Sequence, residues 1–215
     1  ERLIRQCWID AGKQLGLPGI GEFFMQCLGI SYESSRKLFL GHYGSAASYD
    51  NFREQTAKRY RKMVEQAIPV KQGAHEILAW LRSQGWKIGL ASSTSRESVL
   101  ASLDQTGLIH HFSCIICGDM VKASKPNPDI YLAACAALDE DPASCLAVED
   151  SKNGVKSAHS AGLRVILIPD LINPDAEMKR LAYAIYPSLT DFQTQLMRGV
   201  EQSACPATTS QGSMR

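Results

Sequence analysis

From about residue 69 onward the chain alternates short, wholly apolar runs with amphipathic segments of helical period. No other feature of the sequence restricts the fold as strongly. "WKIGLASS", "FSCIICG", "CLAVE", "RVILIP" and "AYAIYP" read as strands. Around and between them, "GAHEILAWLRSQG", "RESVLASLDQTG", "NPDIYLAACAAL", "NGVKSAHSAG" and a short segment near 174 to 182 read as helices. A strand that is apolar on both faces has to be covered on both, and strands joined through helices run parallel. The expected fold class is α/β, a Rossmann-like parallel sheet with helices on both faces.

Residues 1 to about 68 lack such runs and read as helical throughout. "ERLIRQCWIDAGKQLGL" places Leu3, Ile4, Cys7, Trp8, Ala11 and Leu15 at helical spacing and stops at Gly16 and Pro18. "GEFFMQCLG" and "SYESSRKLFLGHYG" are shorter helices. "SYDNFREQTAKRYRKMVEQAI" is a long one, with Ser48 or Asp50 as its cap and its end before Pro69. The expected organisation is an all-α unit over 1–68, an α/β unit over 69–199 and a polar, aperiodic, disordered tail over 200–215.

A net charge of +1 gives no footprint for nucleic acid or a membrane surface. No apolar run approaches the ~20 residues that span a bilayer. No signal-peptide pattern is present, although the chain opens on Glu1 rather than Met. The seven cysteines, an odd number scattered through helices and strands, fit a reducing cytoplasm better than a disulfide framework. "CIIC", Cys114 to Cys117, has the spacing of a metal or redox pair. In a strand, however, positions i and i+3 face opposite ways, so buried strand cysteines are expected. Oligomeric state is left open.

In open parallel sheets, ligands bind beyond the carboxyl ends of the strands, so the polar residues there matter most. "KIGLASSTSRE" ends its apolar run with Ser92, Ser93 and Thr94. Thr94 and Glu97 have capping-box spacing, whereas Ser92 is the first polar residue after the strand. A hydroxyl with N–H groups at a helix start can hold a phosphate. In "VKASKPNPD", Lys125 precedes Pro126, Lys122 is its competitor, and Asn127 is the expected N-cap of the next helix with Pro128 in its first turn. "CLAVEDSKNG" ends a buried strand in two adjacent acids, Glu149 and Asp150, with Gly154 following. A cap explains one acid. Two suggest a hard cation such as Mg2+, which one or two carboxylates and a substrate phosphate commonly hold. Gly154 would let the following helix approach closely.

Taken in order, "LASST", "ASKPNPDIYLAA" and "VEDSKNGVKSAHSAG" resemble the haloacid dehalogenase-like hydrolases, most nearly the branch of beta-phosphoglucomutase and small sugar-phosphate phosphatases. The resemblance implies phosphoryl transfer to an aspartate, followed by hydrolysis. Ser92 and the Ser93 N–H would bind the phosphoryl group. Lys125 would pair with that group and the nucleophile, and Glu149 and Asp150 would hold Mg2+. Residues 1–68 would be a cap closing over a small phosphorylated metabolite, a sugar phosphate in this branch.

The family's first motif, an apolar strand ending Asp-x-Asp-Gly, does not occur ahead of Ser92. By resemblance that strand lies mid-sheet, between those ending at Ser92 and Glu149. Both neighbours should then show unpaired backbone rows, each buried group costing ~1–3 kcal/mol. The expectation is a fragment of a longer product, inactive by itself. In the cap loop "LGISYESSRK", Tyr32 stands where mutases resemble a consensus with a phosphate-gripping arginine, which lowers the phosphosugar mutase reading, although Arg36 could compensate. A dehalogenase would leave the acid pair idle. A non-catalytic metabolite-binding module is the remaining alternative.

Overall fold

The computed structural model describes residues 2–27, 32–44 and 47–204. Helices come first: α1 (Arg2–Leu15), α2 (Ile20–Gln26), α3 (Tyr32–Tyr43) and α4 (Tyr49–Gln66). The apolar stripe of α1 buries Cys7, Trp8 and Ala11. Trp8 meets Phe24 and Phe52 edge-on, with ring centroids 5.1 and 5.0 Å apart. With Phe23, Phe39 and Tyr49 these rings form one aromatic core shared by the helices. Ser48, rather than Asp50, caps α4, accepting from the Asn51 N–H at 3.2 Å. Part of the cap loop, residues 28–31, lies outside the described residues.

The remainder alternates as the sequence pattern requires. It runs α5 (Ala74–Ser83), β1 (Gly89–Ser92), α6 (Arg96–Gln105), β2 (Cys114–Cys117), α7 (Asp129–Leu138), β3 (Leu146–Glu149), α8 (Lys152–Ser160), β4 (Arg164–Leu167), α9 (Ala176–Leu181), β5 (Ala184–Ile185) and α10 (Leu189–Ala204). The start of α7 corrects the expected cap. Pro128, not Asn127, takes the N-cap position, and the Asn127 side chain donates to the Ser124 carbonyl at 3.1 Å. Proline's fixed φ already suits a helix start, so the first helical hydrogen bonds run to its carbonyl. Helix α10 was not read from the sequence. It is capped by Ser188 and packs Phe192 against Ile166 and Ile168. Its backbone is helical through Ala204, so disorder does not begin at residue 200; residues 205–215 lie outside the described residues.

Every strand pairing is parallel, but the strands form two sheets, β1–β2 and β3–β4–β5. Successive peptide groups along a strand point to opposite sides. The Ser113 and Gly118 N–H groups donate to the carbonyls of Ile88 and Thr94, so Gly89 and Ala91 turn their peptide groups away from β2. The Arg164 and Ile168 N–H groups donate to Cys145 and Glu149, so Leu146 and Val148 turn theirs away from β4. These outward edges belong to the strands expected to flank an absent neighbour. The penalty for burying them is not incurred in full: Val148 is 45% exposed and Gly89 is exposed, so water reaches this edge.

The sheets are nevertheless layered as one. On one side a single core joins Ile116 of β2, Ala147 of β3 and Val165 and Leu167 of β4 under α7 and α8, with Ala91 packed against it. On the other side the core is divided. Val99, Leu103 and Cys117 form one cluster, and Ile77, Ile166 and Phe192 form another. Leu78 of α5 packs against both.

Candidate active site at the strand ends

Ser92 closes β1, and its Oγ accepts from the Thr94 N–H at 3.2 Å. The loop is drawn tightly against β2. The Gly118 N–H donates to the Thr94 carbonyl at 3.1 Å, and a Cβ at Gly118 would overlap the Ser93 carbonyl, so only glycine fits. The expected capping box does not form. Ser95 takes the N-cap position of α6, its hydroxyl donating to Ser98 Oγ rather than accepting from a helix N–H, and the Arg96 N–H donates to both oxygens of Asp119, at 3.1 and 3.0 Å. A full carboxylate charge suits a helix N-terminus better than a hydroxyl does. Asp119 thus occupies the helix start, while Ser92 and the exposed Ser93 stand at the end of the strand.

Lys122 is exposed, and Lys125 is the lysine that turns inward. Its Nζ lies 2.6 Å from Glu149 Oε1, 3.1 Å from the Ala91 carbonyl and 3.5 Å from Tyr131 Oη. All its N–H donors therefore have acceptors. The charged pair is nearly sealed, with side-chain exposures of 10% and 7%. Tyr131 donates to the same glutamate oxygen. Burial, and then the Glu149 charge, hold its phenol far above the ordinary range, so it stays a neutral donor.

The other Glu149 oxygen accepts from Ser151 Oγ at 3.2 Å and from the Asp150 N–H at 3.3 Å. Ser151 in turn caps α8, accepting from the Gly154 N–H at 3.1 Å. The Glu149 carboxylate fills the space that a side chain at residue 154 would need. Gly154 therefore makes room for this buried acid, and the approach anticipated from the sequence is that of the carboxylate to α8.

Asp150 behaves differently. Burial first, then the charges of Glu149 and Asp170, push its carboxyl above the usual range, while Lys71 pulls it down. It is the acid that a cation would relieve. Glu149 already accepts at both oxygens, and among the described residues no three histidine, cysteine or acidic side chains gather as a metal cage. Mg2+ needs no such cage, because it keeps several waters and takes one or two protein carboxylates. The donor set fits Mg2+, with Asp150 the residue that would hold it and Glu149 adding negative charge behind it.

The structure thus gathers Ser92, Lys125, Glu149 and Asp150 at the strand ends, and Ser93 follows Ser92 in an exposed position. Sequence reasoning missed Lys71, Asp119, Tyr131 and Asp170. Asp170 carried a signal, since it is the first polar residue after "RVILIP". It pairs with Arg2 of α1 at 2.7 Å, and Leu171 beside it packs on the aromatic core of the first helices. Tyr131, inside an otherwise apolar helix, carried none. The "CIIC" cysteines do face opposite sides, Cys117 fully buried and Cys114 partly so. Among the described residues no helix is long and apolar enough to cross a membrane.

The family model for haloacid dehalogenase-like hydrolases matches residues 21–168. The phosphorylated carbohydrates phosphatase of Thermotoga maritima is 26% identical over 166 residues, covering 77% of each chain. The beta-phosphoglucomutase of Bacillus subtilis is 30% identical over 163 residues, covering 73% of this chain and 71% of that protein. Three further curated relatives are matched over 52% to 59% of their length, so the chain spans little more than half of those. Among solved structures, a HAD family hydrolase from Deinococcus radiodurans with bound phosphate and sodium superposes with a TM-score of 0.75. It is 24% identical, over 92% of this chain and 89% of that one, which establishes a shared fold. With the strand-end cluster and the family match in agreement, this chain belongs to the haloacid dehalogenase-like hydrolases.

Proposed function

We propose that the protein is a Mg2+-dependent phosphatase for a small phosphorylated metabolite, a sugar phosphate, working through an aspartyl-phosphate intermediate in the reducing cytoplasm. One observation carries the reading: Lys125 bridges the end of β1, through the Ala91 carbonyl, to Glu149 at the end of β3. A cation is thereby set between the serine strand end and the acidic one. The phosphatase of Thermotoga maritima supports the substrate class. The six cysteines among the described residues are all free, in keeping with the compartment.

In this reading Ser92 Oγ and the Ser93 N–H orient the phosphoryl oxygens. Lys125 exchanges one of its acceptors for a phosphoryl oxygen and so neutralises developing charge. Asp150, backed by Glu149, holds Mg2+, which when bound offsets the repulsion between phosphate and an attacking carboxylate. Residues 1–68 act as a cap, and the Arg2–Asp170 pair ties α1 to the loop after β4. The nucleophile belongs to a motif that these 215 residues do not contain, so the chain by itself is catalytically incomplete. The mutase reading is weaker. Tyr32 donates to Asp50 at 2.8 Å, and Arg36 lies 4.0 Å from the same acid, so neither is held ready for a second phosphate.

A matched pair of assays tests this. The 215-residue chain with Mg2+ is expected to release no phosphate from an aryl phosphate or from hexose and pentose phosphates; turnover would refute incompleteness. Joined at its amino end to an apolar strand ending Asp-x-Asp-Gly, it is expected to turn over in a Mg2+-dependent way that Asp150→Ala abolishes. A folded, inactive fusion would refute the phosphatase assignment and leave the binding-module reading.

A further inference from the structure

A cavity of about 190 Å3 lies among the first four helices, with Trp8, Tyr32 and Arg53 on its wall. Its position relates it to the strand ends. Ile4, also on the wall, is within one helical turn of Arg2, which pairs with Asp170 at 2.7 Å. The Asp170 charge bears in turn on Asp150, and Leu171 packs on the aromatic core to which Trp8 belongs.

What the cavity offers is donors. Trp8 is 2% exposed, and its indole N–H, which can only donate, has no acceptor. Arg53 is half-buried and has no carboxylate partner among the described residues. Its guanidinium is held by two aromatic rings, 5.7 Å from the Trp8 centroid and 5.9 Å from that of Tyr32. Rings attract the charge but supply no oxygen to the guanidinium N–H groups. The neighbouring hydroxyl protons are already committed. Tyr32 donates to Asp50 and Tyr49 to Ser35, both at 2.8 Å, and Ser35 bonds the Cys27 thiol. No acid lines the cavity among the described residues. A sugar hydroxyl has to donate as well as accept, whereas an anion only accepts and so matches this set.

Size and charge narrow the anion. The volume is that of about six waters at about 30 Å3 each, enough for one charged group and the carbons next to it. One guanidinium balances one carboxylate, and its planar fork of N–H groups matches the two oxygens. A phosphate dianion would leave a charge uncompensated among aromatic rings. We infer that this cavity recognises a carboxylate at the end of the substrate remote from its phosphate, with Arg53 as the specificity-determining residue and the Trp8 N–H as a second donor. The substrate class thereby narrows to a phosphorylated sugar acid. The inference rests on the proposed phosphatase reading for the substrate's other end, the phosphate at Ser92 and Lys125.

The test measures Kd by calorimetry, with Mg2+ and the 215-residue chain, for aldonic acid phosphates of three to six carbons. Each is paired with the alditol phosphate that carries CH2OH in place of the carboxylate. At least one aldonate is expected to bind about tenfold or more tightly than its partner. Arg53→Gln should bring the members of that pair within about twofold of each other. Arg53→Lys should keep part of the difference by keeping the charge, and Trp8→Phe should lose a smaller part by removing one donor. Equal binding within every pair, or binding of none, would overturn the inference. So would a preference that survives Arg53→Gln, or a bisphosphate that binds more tightly than the aldonate of the same length. Kd in this chain decides the inference, whereas turnover in the fusion decides the phosphatase assignment, so the two can fail separately.

Discussion

On the α7 and α8 side of the strands, the core runs unbroken from β2 to β4 and Leu167 is fully buried. On the opposite side, Val148 of the neighbouring strand is 45% exposed and the core falls into two clusters. Both residues are aliphatic and both sit in parallel strands of the same pattern. They differ in what lies across from them: helices α7 and α8 bridge the two sheets on one side, while on the other only Leu78 reaches both clusters. Burial of a strand residue thus depends on a neighbouring element as much as on its own hydrophobicity.

The largest expected effect comes from breaking the bridge where the two halves meet. Lys125→Ala leaves Glu149 sealed with no cation and is expected to cost about 3–5 kcal/mol of unfolding free energy. A loss below about 1 kcal/mol in urea unfolding would mean that water or another cation already serves Glu149. Next, Leu167→Ala on the continuous side should cost about 2–5 kcal/mol through lost burial and a residual cavity.

A smaller change of opposite sign is expected at Asp150. Its carboxyl is raised in the folded state, so the charged form is penalised there. Below its unfolded value of about 3.9 the acid is neutral in both states and there is no penalty. The penalty grows as pH rises through the folded value, and stability falls with it. Asp150→Asn, without divalent ions, should therefore be more stable than the parent by about 0.5–2 kcal/mol at pH 7. That advantage should disappear below the unfolded value, and added Mg2+ should narrow it by stabilising the parent alone. A pH-independent gain would point to packing instead. Smallest of all, Val148→Ala is expected to change stability by no more than about 1 kcal/mol. A cost matching that of Leu167→Ala would remove the contrast between the two faces.

Much of this was legible in the sequence. The strands ending at Ser92 and Glu149 were marked by apolar runs that stop abruptly in polar residues, and that local rule survived folding. Capping was read less well. Thr94 and Glu97 have the right spacing, yet the N-cap is Ser95, one residue out of register with that pair, and Asp119, brought in by the turn after β2, accepts from the Arg96 N–H. Asn127 lost its place to Pro128. The family resemblance chose Lys125 over Lys122, but spacing alone could not, since the deciding partners, Tyr131 and Glu149, lie in a helix and a strand further along the chain. Helix α10 escaped because "LTDFQTQLMRG" is too polar to stand out, although its apolar residues have helical spacing.

The sequence by itself determined the alternation of strands and helices, the parallel arrangement, and which strand ends stop abruptly in polar residues, because periodicity and abrupt changes of polarity are properties of neighbouring residues. Only the tertiary structure decided that Glu149 is the buried counter-ion of Lys125 while Asp150 stays outside that pair, its carboxyl raised by burial. It alone showed that Gly154 makes space for a carboxylate and that the sheet is open between β1 and β3. Those outcomes depend on distances between residues far apart in the chain, where burial strengthens some charges and strands others, and no local pattern encodes such distances.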